Sequence, residues 1–125
     1  MPDDFPIDVR QFIGQNIGSL AQLEALLLLR RDPERSWTAD EIAKALYITP
    51  EMAAPLLQGL ALRGFATSVE TCYRYQVKED GIAHAIEQLA RLYQERRVAV
   101  ITEIYSKPPN KVQTFADSFR LRKEE

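Results

Sequence analysis

WTADEIAKALYITPEMAAPLLQGLALRGFATSVETCYRYQV, residues 37–77, is the stretch on which the fold turns. Thr38-Ala39-Asp40-Glu41 has the form of a capping box, in which the threonine hydroxyl accepts from the third helical N–H and the glutamate reaches back to the N-cap amide. A helix therefore starts at this point. Its apolar positions Ile42, Ala43 and Leu46 share one face, and Tyr47-Ile48 breaks the period. Thr49-Pro50 signals a second start, because proline at the first helical position lacks only an N–H that had no partner there. That second helix is expected to bury Met52, Ala53, Leu56, Leu57 and Leu60 at helical spacing and stops at Arg63-Gly64, where glycine can take the left-handed conformation. Phe65–Val69 and Tyr73–Val77 follow as short β-branched and aromatic runs. With Glu70-Thr71-Cys72 between them they predict a hairpin.

The order of helix, short turn, helix and hairpin resembles the winged-helix domain of MarR-like and PadR-like transcriptional regulators. The residues that carry the resemblance are TADEIAKALYITP, LLQGLALRGFATS and the closing YRYQV. It covers about forty residues directly, and about ninety with the flanking helices. The fold class it implies is mainly α with a small β-hairpin wing: a winged helix-turn-helix plus a long C-terminal helix. The function it implies is a dimeric, DNA-binding transcriptional regulator. Winged helices also serve as protein-interaction modules that bind no DNA, and that is the alternative.

Upstream of the stretch, Pro6–Ile17 places Ile7, Phe12, Ile13 and Ile17 on a short amphipathic helix. Ser19 to Gln22 reads as a second capping box that opens a leucine-rich helix to Arg31. This helix is apolar on more than one face, as a central scaffold helix must be. Asp32–Ser36 is a loop, Trp37 staples the next helix, and Ser36-Trp37 can add a third short strand.

Downstream, one helix is expected from Asp80 to about Ser106. Ile82, Ile86, Leu89, Tyr93, Val100 and Ile104 form a heptad-like seam along it. At about 1.5 Å per residue it spans roughly 38 Å, more than a domain of this size covers, so a homodimer interface through Ile82, Ile86, Leu89, Tyr93 and Val100 is expected. The competing expectation is a helix folded back onto its own domain. The division that follows is 1–79 for the winged-helix domain with its N-terminal helices, 80–106 for the dimerisation helix, and 107–125 for a tail whose Phe115 and Phe119 suit a short docking helix.

Chemistry is harder to place. Aligned with the resemblance, the DNA-binding positions are Thr49, Glu51, Gln58, Arg63 and Arg74. Thr49 and Gln58 are good base-edge donors, and Arg63 and Arg74 suit phosphates. Glu51 repels phosphate, while Pro50, Ala54 and Pro55 offer no donor. Residues 49–79 hold three basic and three acidic groups, and the basic excess lies in 91–125, with eight against five. The whole chain has a net charge of −2. DNA binding is driven by phosphate neutralisation, so any binding through this face should be weak and shallow in its salt dependence. An apolar surface of Pro50, Met52, Ala54 and Pro55, with Tyr73 and Tyr75, suits a protein partner instead.

An enzyme is not expected. The single histidine, His84, has no cysteine or second histidine to form a metal site, and neither a phosphate loop nor a paired-carboxylate motif is present. No cofactor is implied. The one cysteine, Cys72, rules out an intramolecular disulfide; its reading as an oxidant sensor rests on Arg74 alone. The acidic N-terminus lacks the form of a secretory signal and no apolar run approaches a membrane span, so a cytoplasmic protein off the membrane is expected.

Overall fold

The computed structural model describes residues 6–105. Its architecture is mostly helical with a small three-stranded antiparallel sheet. The elements run α1 (Ile7–Asn16), α2 (Leu20–Arg31), β1 (Trp37–Thr38), α3 (Ala39–Leu46), α4 (Pro50–Leu62), β2 (Ala66–Val69), β3 (Cys72–Tyr75), α5 (Asp80–Glu95) and α6 (Arg97–Tyr105). β3 lies in the middle of the sheet, with β1 on one side and β2 on the other. Trp37 faces Tyr73, and Val69 faces Cys72.

α2 is the centre of the core. Leu23, Leu26 and Leu29 have no exposed surface, and α3, α4 and β3 all contact the helix. Ser19 caps it by accepting from the Gln22 N–H at 3.1 Å. The return half of the expected box goes elsewhere. Gln22 Oε1 accepts from the Gly18 N–H at 2.9 Å, and its Nε2 donates to the Asn16 carbonyl at 2.7 Å, so one buried glutamine ties the end of α1 to the start of α2. At Thr38 both halves are present, at 3.1 and 2.9 Å.

α4 begins at Pro50, with Thr49 Oγ1 accepting from the Met52 N–H at 3.2 Å. Pro55 sits inside the helix without delaying its start. Its end is a Schellman closure: the Phe65 N–H donates to the Leu60 carbonyl at 2.9 Å and the Gly64 N–H to the Ala61 carbonyl at 3.0 Å, with Gly64 at φ +87°. Phe65 then enters the core, its ring 5.5 Å from Phe12 on α1. The hairpin turn is shorter than the sequence suggests. Cys72 pairs with Val69, leaving a two-residue turn of Glu70, at φ +57°, and Thr71.

The single helix expected over 80–106 is two helices. The chain breaks at Arg96 (φ −139°, ψ 57°), whose N–H closes α5 on the Leu92 carbonyl, and α6 turns back to lie against α1. Neither glycine nor proline marks the break. The reason is tertiary: only by turning can Val100 and Ile104 both be buried. An Arg10–Glu103 ion pair at 3.3 Å and a hydrogen bond from the Leu20 N–H to the Tyr105 hydroxyl at 2.9 Å hold the returning helix in place. Among the described residues no single helix is long and apolar enough to cross a membrane. The tail, residues 107–125, lies outside the described residues.

Candidate nucleic-acid interface

Thr49, Glu51, Gln58, Arg63 and Arg74 are all exposed. The structure groups only some of them. Thr49 and Glu51 share the first turn of α4, and Gln58 lies two turns further along. Arg63 stands at the other end of the 13-residue helix, where its guanidinium donates to the Gly59 carbonyl at 3.2 Å. There it borders a cleft of about 590 Å³ with Gln15, Asn16, Gln76 and Lys78, away from the first turn. Arg74 lies on β3 opposite Thr67, and at the turn it is Glu70 that is exposed.

Inward-facing residues of α4 are Ala53, Leu57 and Leu60, all without exposed surface. Met52, expected to help bury the helix, is instead 53% exposed. Its place at the outer edge of the helix follows from the phase set by Ala53 and Leu57. Tyr73 and Tyr75 depart from expectation in the opposite sense. Both pack against the core rather than beside Met52 on an open surface. Burial pushes the Tyr75 phenol up from its ordinary range, and the nearby Glu87 carboxylate adds to the effect.

Sequence reasoning missed Tyr47. It is 95% exposed and adopts φ +61°, a left-handed conformation that is strained for any residue with a Cβ other than asparagine or aspartate. The Ile48 N–H donates to the Ala43 carbonyl at 3.0 Å, so the strained residue is what ends α3 and sets the turn into α4. The available signal was the broken period at Tyr47-Ile48; what it could not show was that the aromatic ring points into solvent.

The expected seam goes inward. Ile86, Leu89 and Val100 have no exposed surface within the single chain, and Ile82 and Tyr93 are partly buried against the same core. The polar edge of α5 is engaged by α2. Arg30 donates twice to Glu87, at 2.9 and 2.7 Å, which raises the arginine pKa and lowers that of the carboxylate. Tyr93 donates to Glu24 at 2.8 Å, and Arg97 lies 3.5 Å from the same carboxylate and stacks on the Tyr93 ring. Burial, and then the Glu24 carboxylate, push the Tyr93 phenol up to about 12.

His84 and Cys72 were also singled out by the sequence. His84 is exposed on α5, and among the described residues no group of three or more His, Cys, Asp or Glu side chains is placed to hold a metal ion. Cys72 is partly exposed at the start of β3. Comparison of the chain with family models, with curated proteins and with solved structures returned no significant match.

Proposed function

We propose that this chain is a winged-helix protein that binds double-stranded DNA through α4 and acts as a transcriptional regulator. The observation that carries the reading is topological. A capped helix pair is followed directly by a hairpin, and the strand that precedes the pair joins the same sheet in the order β1-β3-β2. That is the arrangement in which a second helix is offered to a DNA groove with a hairpin beside it. Thr49 and Gln58 are the donors on its exposed face, with Arg74 on the hairpin to meet a phosphate.

The charges make the expected binding modest. Glu51 and Glu70 are exposed on the same unit, so few phosphates are neutralised. The test is fluorescence anisotropy against random-sequence duplex DNA over a salt series. Weak binding with a shallow slope supports the reading. A slope that implies about six or more phosphate contacts contradicts the charge argument, and no binding at low salt removes DNA from the proposal.

A second reading is favoured by Tyr47 and Met52, which expose an aromatic and a thioether side chain at the turn and at the first turn of α4. Aromatic and methionine side chains are enriched where proteins meet. In this reading the same face is a protein-interaction surface. Met52→Asp then abolishes capture of a partner without lowering the melting temperature, whereas retention of the partner removes this reading.

A homodimer is part of the regulator proposal, but its surface must differ from the seam. Val98 and Tyr105 are 76% and 63% exposed and lie seven residues apart on α6, hence on one face. We place the dimer contact there.

A further inference from the structure

An open trough of about 600 Å³ runs between α2 and α5, closed at its ends by the last turn of α3 and the first of α6. Leu27, Leu28, Leu46 and Ala90 supply its apolar lining, beside a comparable share of polar surface. A smaller recess of about 210 Å³, lined by Arg30, Glu87, Ala90, Arg91 and Gln94, shares Arg30, Ala90 and Gln94 with the trough and extends it. Arg30, Arg31, Arg91 and Arg97 therefore border one continuous depression, against only two carboxylates.

Those carboxylates are already engaged within the chain. Glu87 accepts both donors of Arg30, and Glu24 accepts from Tyr93 and pairs with Arg97. These contacts hold two of the four arginines in place. The other two, Arg31 and Arg91, are exposed and make no ion pair within 4 Å among the described residues, although the charge of Arg91 is felt by Glu87 one turn before it. No residue of α4 or of the hairpin lines the depression. It is separate from the surface assigned to DNA, and the inference does not depend on that assignment.

We infer that this trough is a docking site for an acidic amphipathic helix of a partner protein. Complementary charge supplies the argument for the occupant. An apolar lining between arginine lips matches a helix that carries apolar side chains at i, i+3, i+4 and i+7 with carboxylates on its flanks. Between Glu87 and Gln94 the wall follows two turns of α5, or about 11 Å, so two to three turns of a partner suffice. A phosphate backbone fits less well, because Leu27, Leu28, Leu46 and Ala90 offer it nothing.

The test uses the intact chain and a fluorescein-labelled synthetic helix about four turns long, with leucines on one face and glutamates on the flanks. A sister peptide has lysine at every glutamate position. The acidic peptide is expected to bind at least tenfold more tightly than the basic one, as complementary charge sets partner choice. Arg31→Glu and Arg91→Glu together should reverse this preference, so that the double variant takes the lysine peptide; Met52→Asp should change neither affinity. The two arginines are exposed, and a circular dichroism melt within a few degrees of the parent verifies the fold. Equal binding of both peptides by the parent overturns the inference, as does a double variant that keeps its preference for the acidic one. So does loss of duplex-DNA binding in that variant with peptide binding unchanged, which would make the arginines phosphate contacts.

Discussion

Tyr93 is the residue whose chemistry can be read most directly from outside. Its folded-state pKa, about 12, lies above the ordinary value of 10.0, so the neutral phenol is the form the fold favours. The stability this contributes is fully present below pH 10 and is lost as the pH rises from 10 through about 12. An ultraviolet titration should show Tyr75 and Tyr93 both ionising late, with Tyr93 the last, and Tyr93→Phe should remove that last step and flatten the alkaline loss of stability over the same window. If the last step survives the substitution, Tyr93 is not the residue that gives it. Tyr47 poses the opposite case, in which the side chain contributes little to the fold and the backbone is strained. Tyr47→Asn is expected to keep or raise stability, by up to about 1 kcal/mol, because asparagine tolerates the left-handed region. Binding through the α4 face should meanwhile fall severalfold. A melting temperature several degrees lower would show that the ring is structural after all.

At the scale of elements, the helix ends are where the sequence spoke most clearly. Thr38, Thr49 and Gly64 each announced a start or a stop, and each makes the local hydrogen bonds that its residue type allows. Gly64→Ala should cost about 1 kcal/mol in thermal denaturation. Nothing stands within 4 Å of the added Cβ, so the loss is one of backbone conformation alone; a neutral substitution would mean the Schellman closure relaxes freely. Signals of this kind are legible because they are local. The break at Arg96 was not, since its residues are ordinary helix formers and the gain comes from Val100 and Ile104 meeting a helix some ninety positions away. Candidate site residues divide in the same way. Thr49 and Gln58 could be placed from spacing, whereas the arginine-lined trough joins Arg30 to Arg91 and depends on α2 and α5 being neighbours. Periodicity also misjudged Met52, because a stripe of apolar residues at helical spacing does not say where its edge lies.

For the molecule as a whole, the question is which apolar surface is left over once the core has formed. Leu89 has none to offer, so Leu89→Glu should unfold the chain rather than split a dimer: it puts an unpaired charge where no water reaches. Val98→Glu, on the exposed face of α6, should instead give monomers in sedimentation with the melt preserved. A folded Leu89→Glu protein would mean that the core is looser than its burial implies. A Val98→Glu protein with the parent's mass would move the contact off α6. The two substitutions thus separate a surface that holds copies together from one that holds a single copy together.

The Leu20 amide bound to the Tyr105 hydroxyl has a consequence in time rather than in space. During synthesis α1 emerges ahead of the other described helices, yet the helices it packs against include α5 and α6, the last two among the described residues. Phe12 is met by Phe65 part-way through, but the side of α1 that meets α5 and α6 must wait in the open while nearly the whole described chain is added. The centre of α2 can be covered by α3 and α4 well before then, but the Leu20 amide meets its partner only when residue 105 arrives. The first of the described helices is therefore among the last to be settled, and a nascent chain halted before α5 should be the form most in need of a chaperone.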